Sequence, residues 1–67
     1  MKVVVNGSNR ELPDTVTVDG LLSEMEIDQP RGVAVAVDGE VVSRSDWDRT
    51  TIRDGQRIEI LRAVQGG

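Results

Sequence analysis

The chain has 67 residues, enough for one small domain, with eight basic and twelve acidic side chains and a formal net charge of −4 at pH 7. It contains no Cys and no His, which excludes disulfides, thiolate or imidazole metal sites and a Ser-His catalytic couple. The acidic balance and the single aromatic residue, Trp47, argue against nucleic-acid binding. No apolar run approaches the roughly 20 residues of a membrane helix, and no signal peptide is evident, so we expect a soluble cytoplasmic protein.

The first predicted element is a hairpin. Residues 3–5 are a β-branched run of three valines, and the Asn6-Gly7 pair that follows is a strong turn signal. We expect Ser8 and Asn9 to continue the turn and residues 10–12 to return as an antiparallel strand. Pro13 should end that strand, because proline lacks the N–H that a sheet ladder needs.

A change of period between residues 15 and 27 predicts a helix. Its apolar stripe has the spacing i, i+3, i+4 and i+7 and consists of Val18, Leu21, Leu22 and Met25. Thr17 is the predicted N-cap, because its hydroxyl can accept a hydrogen bond from the first turn. Gly20 weakens the helix by about 1 kcal/mol relative to Ala. The helix should end near Glu26, before the Asp-Gln-Pro sequence at 28–30.

The second half of the chain predicts three strands. Residues 33–37, Val-Ala-Val-Ala-Val, are apolar on both faces and favour a central strand. Asp38-Gly39 has the signature of a type I′ hairpin turn, after which residues 40–42 return. Residues 44–51 are polar apart from Trp47 and indicate a loop or a short 3₁₀ turn. Residues 56–61 alternate in polarity as a half-buried strand does.

This order of elements predicts an α+β domain of the β-grasp, ubiquitin-like type. A small mixed sheet of about five short strands would carry one helix across one face, with the first and last strands paired in parallel at its centre. We assign residues 1–62 to this domain and residues 63–67 to an extended, flexible C-terminal tail.

Few side chains offer chemistry. Asp46 and Asp48 could form an oxygen-ligand pair, but they lack the Gly and distal Glu of a calcium loop, so turn capping and solvation explain them better. The remaining candidate is the Gly66-Gly67 ending, whose lack of Cβ atoms makes a tail narrow enough to enter a channel. The α-carboxylate of Gly67 would need activation by ATP, and because nothing here binds ATP, a partner must supply it.

Several segments follow one another in an order and spacing that together are specific to one protein family. They are 33–42, 44–47, Thr51, Asp54-Gly55 and 58–67, and the last of them ends Ala-Val-Gln-Gly-Gly. In these segments the chain resembles the ThiS family, the prokaryotic ubiquitin-like sulfur carriers of thiamine biosynthesis. The resemblance covers nearly the whole chain. It implies a carrier protein, not an enzyme, that binds no cofactor itself and is a monomer when free.

The resemblance also implies a reaction sequence and its partners. An adenylating enzyme related to the ubiquitin activators would use ATP and magnesium to adenylate the Gly67 carboxylate. A sulfur donor system, such as a cysteine desulfurase, would convert the adenylate to a thiocarboxylate. Thiazole synthase would then take the sulfur to build the thiazole part of thiamine.

The implied functional residues lie mostly in the tail. Gly67 would be modified, and Gly66 would provide the narrow approach to it. Ala63, Val64 and Gln65 would line the entry to the partner's channel. Leu61 and Trp47, with the exposed sheet face, are candidate docking residues, and for Trp47 packing at the edge of the core is the alternative.

Three other readings remain open at this point. One is a carrier of another sulfur pathway, such as the small subunit of molybdopterin synthase or a carrier for cysteine or tRNA thiolation. A second is a ubiquitin-like protein modifier. Lys2 is the only lysine, which suits a carrier that is not joined to its own copies, but arginine-biased codon usage explains the composition better. A third is a plain binding module in which Gly-Gly is accidental.

Overall fold

The computed structural model describes residues 1–27 and 32–62. These residues form five strands, one α-helix and a 3₁₀ turn at Arg44–Asp46. The strands and the helix, in chain order, are β1 (Lys2–Val5), β2 (Ser8–Glu11), α1 (Val18–Glu24), β3 (Val33–Val37), β4 (Glu40–Val42) and β5 (Arg57–Arg62). The tail predicted at 63–67 and the helix-breaking sequence at 28–30 lie outside the described residues. Within the described residues, no helix is long and apolar enough to cross a membrane.

The strands form one mixed sheet in the order β2-β1-β5-β3-β4. β1 and β5 pair in parallel through Val4 with Arg57 and Val5 with Ile58, and the other neighbours pair antiparallel. The predicted α+β, β-grasp architecture is therefore confirmed, including the central parallel pair. The last described strand lies in the middle of the sheet, between the two hairpins.

Two Xaa-Gly turns set the register of the hairpins. Asn6 and Gly7 have φ of 49° and 83°, and Asp38 and Gly39 have φ of 50° and 85°. A type I′ turn needs positive φ at both central residues, which explains these residue types. The sequence interpretation was wrong in one detail: Ser8 and Asn9 belong to β2. The two-residue turn leaves no room for them, because Val5 already pairs with Ser8.

The helix begins where predicted, and its first turn is hydrogen-bonded both by its own N-cap and by residues distant in the chain. The Thr17 hydroxyl accepts a hydrogen bond from the amide of Gly20 at 3.1 Å. The amides of Val18 and Asp19 donate to the carbonyls of Thr50 and Trp47, at 3.0 and 3.1 Å. These bonds satisfy amides that a helix start otherwise leaves unpaired. The loop around residues 47–50 thereby fixes the first turn of α1.

The hydrophobic core lies on one face of the sheet. Its buried members come from α1, from the sheet and from the loops that cover them: Val3, Val5, Leu12, Val18, Leu21, Leu22, Val35, Val37, Trp47, Ile52, Ile58 and Ile60. The predicted central strand at residues 33–37 is confirmed, because β3 lies between β5 and β4. Its second face is apolar but not buried: Ala34 is exposed and Ala36 is half-buried, since a single seven-residue helix covers only one side of the sheet.

We expect the substitution Leu22→Ala to destabilise the domain strongly. Leu22 is 3% exposed in the middle of the helix stripe, and large-to-small changes in a core cost about 2–5 kcal/mol. A 67-residue domain has roughly 3–10 kcal/mol of stability in total, so much of it would be lost. Urea unfolding measures the change. Ser23→Ala, on the exposed side of the same helix, is the control, and equal midpoints for the two variants would contradict the assigned core.

Candidate functional site

The proposed tail residues lie outside the described residues, so the structure places the strand that leads to them. These residues are Ala63, Val64, Gln65, Gly66 and Gly67. β5 runs to Arg62 and has neighbours on both sides, β1 and β3. The chain therefore reaches the tail from the central strand of the sheet. Five further residues span at most about 18 Å when fully extended.

β5 is paired very differently along its two edges. Along β3 it forms five pairs, which continue from Val37 with Ile58 to Val33 with Arg62. Along β1 it forms only two pairs, because β1 turns away at Asn6. The end of β5 that leads to the tail is thus held by backbone pairing mainly from one side.

The sheet face opposite the core carries an exposed apolar patch. Leu61 and Val41 are 67% and 78% exposed, the large hydrophobic side chains that the described residues leave most accessible. Ala34 is the partner of Leu61 across β3 and β5, and Ala36 is the partner of Val41 across β3 and β4. All four side chains alternate with core residues and so face the same way. We call Ala34, Ala36, Val41 and Leu61 the open-face patch.

Charged side chains border the patch along β5. Arg57 and Glu59 are exposed and, by strand alternation, lie on the same face as Leu61. They line a shallow depression together with Val4 and the turn at Asp38 and Gly39. An apolar centre with a polar, charged border is the usual composition of a protein–protein contact surface. The arrangement offers a surface for docking next to the strand that carries the tail.

Trp47 is not part of an accessible surface, which corrects its assignment as a docking residue. Its side chain is 3% exposed, and its indole Nε1 donates a hydrogen bond to the carbonyl of Val42 at 3.0 Å. Its own carbonyl accepts from the Asp19 amide at the start of α1. The packing alternative is therefore the correct one. Of the two candidate docking side chains, Leu61 alone is exposed.

The acidic pair at 46 and 48 has an ordinary structural setting. The Asp46 carboxylate lies 3.3 Å from Nε of Arg49, and both side chains are exposed. The Asp46 carbonyl accepts from the Thr50 hydroxyl at 2.7 Å, which closes the turn after the 3₁₀ segment. Within residues 1–27 and 32–62, no group of three or more His, Cys, Asp or Glu is arranged to hold a metal ion.

Val41 is the patch residue that sequence reasoning missed. The signal was present in the Asp38-Gly39 turn, because a two-residue hairpin pairs Val37 with Glu40 and therefore Ala36 with Val41. Val37 is buried, so its neighbour Ala36 and the partner Val41 must face away from the core. The register of the hairpin alone thus predicts that Val41 is exposed.

Comparison with known structures agrees with this architecture. The crystal structure of the thiamine biosynthesis protein ThiS from Geobacter metallireducens superposes with a TM-score of 0.86, at 35% identity and with full coverage of both chains. The solution structure of a thiamine biosynthesis protein from the same organism gives a TM-score of 0.83 at 35% identity and covers all of this chain and 88% of that one.

Sequence relatives agree as well. The sulfur carrier protein ThiS of Escherichia coli is 27% identical over 67 residues, which are the full length of both chains. A thiazole synthase of Paramagnetospirillum magneticum is 37% identical over the whole of this chain, which spans 20% of that protein's length. The model of the ThiS family matches residues 3–67. The resemblance read from the sequence is thereby confirmed, and this chain belongs to the ThiS family.

Proposed function

We propose that this protein is a sulfur carrier whose Gly67 α-carboxylate is adenylated by a partner enzyme, converted to a thiocarboxylate and used as the sulfur source of thiazole synthase. The observation that carries the proposal is the end-to-end similarity to the sulfur carrier protein ThiS of E. coli. The family match that runs through residue 67 supports it further. The chain acts as a carrier and not as an enzyme.

The chemistry explains why partners are needed. An α-carboxylate is ionised at neutral pH and is a poor electrophile. Its oxygen attacks the α-phosphorus of ATP, pyrophosphate leaves, and an acyl-adenylate forms. The outer sulfur of a persulfide on the donor then attacks the acyl carbon, AMP leaves, and an acyl disulfide forms. A thiol of the donor system cleaves its S–S bond, which releases the thiocarboxylate and leaves a disulfide on the donor. A donor such as a cysteine desulfurase is a partner because this chain has no Cys to carry a persulfide, and ATP and magnesium are assigned to the adenylating partner.

We assign the docking of the adenylating partner to the open-face patch. Leu61 lies on β5 and precedes Ala63 by only two positions in the chain, so a partner that covers Leu61 lies within reach of the tail. Burial of the exposed apolar area of Val41 and Leu61 supplies a favourable free energy of docking. The two alanines between them let a partner side chain approach the sheet closely.

Thiazole synthase is the proposed acceptor. The P. magneticum relative named thiazole synthase contains a segment that is 37% identical to the whole of this chain. A carrier segment within such a protein would raise the effective concentration of the carrier at the acceptor. We expect the same contact between this carrier and thiazole synthase, whether the two are separate molecules or linked.

Intact-mass measurement tests the proposed modification directly. When the protein is produced with its adenylating and sulfur-donating partners, we expect a species heavier by one exchange of oxygen for sulfur, located at Gly67 by fragmentation. Production without the adenylating partner is the control and should give only the carboxylate. A sulfur-containing mass at an internal residue would contradict the proposal.

Shortening the tail should abolish adenylation without unfolding the domain. Deletion of Gly67 moves the carboxylate back by about 3.3–3.6 Å, whereas reacting atoms must come within about 3–3.5 Å. Gly66→Ala keeps the length but adds a methyl group to the narrow part of the tail. Pyrophosphate exchange with the adenylating partner should fall in both variants while their melting temperatures stay unchanged. Ser23→Ala, on the helix side and remote from the tail, is the control; normal exchange by the shortened protein would refute a role for Gly67.

Making the open-face patch polar should weaken docking. In the double variant Val41→Thr, Leu61→Thr, the loss of apolar burial should raise the KM for the carrier in pyrophosphate exchange about tenfold. The variant should melt normally because both side chains are exposed, whereas Val35→Thr, in the core, should melt lower. Ser23→Ala, on the helix side, should leave KM unchanged. An unchanged KM in the double variant would place docking elsewhere.

A further inference from the structure

The side chain of Asn6 continues a sheet ladder that the backbone of β1 cannot continue. Along the β1 edge of β5, the amide of Val4 donates to the carbonyl of Gln56 at 3.0 Å, and the amide of Asn6 donates to that of Ile58 at 2.9 Å. The next carbonyl in this series is that of Ile60, but β1 has already entered its turn. The Asn6 side chain takes over: Nδ2 donates to the Ile60 carbonyl at 3.2 Å.

The side-chain amide of Asn6 also pairs with the backbone N–H of Ile60. Oδ1 of Asn6 accepts a hydrogen bond from the Ile60 amide at 2.8 Å. One side chain therefore makes the two bonds for which a longer parallel β1 would have used two successive backbone partners. Ile60 is only 7% exposed, so its backbone groups would otherwise have poor access to water. The φ of 49° at Asn6 holds the side chain in this position.

An equivalent clamp lies at the other end of β5. Asp38 has φ of 50°, and its Oδ1 accepts from the Arg57 amide at 2.9 Å while its own amide donates to the Arg57 carbonyl at 2.8 Å. Both clamps use the first residue of an Xaa-Gly turn in the left-handed conformation. They differ in place: Asp38 holds the start of β5, and Asn6 holds Ile60, three residues before Ala63.

We propose that Asn6 is a positioning residue that fixes the direction in which the chain leaves β5 toward Gly67. This inference rests on the proposed function. The β1 edge of β5 has only two backbone pairs, so the Asn6 clamp is what steadies its tail end from that side. For a tail that a partner's channel holds extended over about 18 Å, a tilt of about 10° at the strand end displaces Gly67 by about 3 Å. Reacting atoms must come within about 3–3.5 Å of each other, so a shift of this size takes the carboxylate out of reach.

The test compares Asn6→Gly with Asp38→Gly. Glycine adopts positive φ without strain, so both turns keep their shape and only side-chain hydrogen bonds are lost. Asn6→Gly loses two bonds, both to Ile60, and Asp38→Gly loses two, from the Arg57 amide and from Nε2 of Gln56. Both variants should therefore melt about 4–8 °C lower. Asp38→Gly thus controls for loss of stability at a site remote from the tail.

Two readouts separate positioning from stability. In Asn6→Gly, hydrogen exchange of the Ile60 amide should become about tenfold faster relative to that of Ile58, and in Asp38→Gly the Arg57 amide should respond instead. In pyrophosphate exchange well below the melting temperature, Asn6→Gly should lower kcat about tenfold with an unchanged KM, because the open-face patch is intact. Asp38→Gly should leave kcat unchanged, and any effect of Asp38 at the border of the patch should appear in KM alone.

The outcomes are distinct. Equal losses of kcat in the two variants, or a normal kcat in Asn6→Gly, would overturn the positioning role. An unchanged exchange rate at the Ile60 amide would overturn the clamp itself. Failure of the unsubstituted protein to support pyrophosphate exchange would instead overturn the proposed function, and the Ile60 amide would then decide alone whether the clamp exists.

Discussion

The parallel pairing of β1 with β5 is the constraint on which the rest of the molecule depends. It rests on two residue pairs, Val4 with Arg57 and Val5 with Ile58, which lie more than fifty positions apart in the chain. Each hairpin closes locally through its own two-residue turn, but neither hairpin alone forms a sheet wide enough to carry a core. Closing so long a loop has an entropic cost that the core side chains Val5 and Ile58, both buried, help to offset. The central pair thus converts two local hairpins into one domain.

That same pairing determines from which strand the chain leads to Gly67. β5 is the middle strand of the sheet, with β3 along one edge and β1 along the other. Its last residues pair with β3 on one side, whereas on the other side β1 has already turned away and the Asn6 side chain bonds to Ile60. The proposed chemistry at Gly67 would gain accuracy from this support, because reacting atoms must meet within about 3–3.5 Å.

Sequence patterns predicted the local features well and the tertiary ones less well. The Asn6-Gly7 and Asp38-Gly39 turns and the Thr17 cap depend on one or two residues whose backbone preferences are strong, so they could be predicted directly. The burial of Trp47 could not, because it depends on the distant carbonyl of Val42 and on the start of α1. The side chain of Asn6 illustrates the same limit. Its turn role follows from the sequence, but its bonds to Ile60 require the parallel pairing of strands 54 residues apart.

The candidate site divides in the same way. The Gly66-Gly67 pair could be singled out from residue type alone, since the absence of Cβ atoms needs no fold to be recognised. The open-face patch needed the hairpin register, which places Val41 beside Ala36. Only the three-dimensional arrangement then joins patch and tail, because Leu61 belongs to both the exposed face and the strand that leads to the tail.

The small size of the domain accounts for the patch itself. One helix of seven residues covers one face of a five-stranded sheet, and residues 1–27 and 32–62 contain no second element that covers the other. When the protein is free, the apolar area that this face exposes to water must stay small. β3 meets this requirement with Ala34 and Ala36, whose side chains expose little apolar area. Val41 and Leu61 are the exceptions, placed two strands apart on either side of these alanines. The open-face patch therefore consists of two small and two larger apolar side chains. Such a patch fits a partner that binds transiently, because the apolar area it buries is enough for recognition but modest for permanent association.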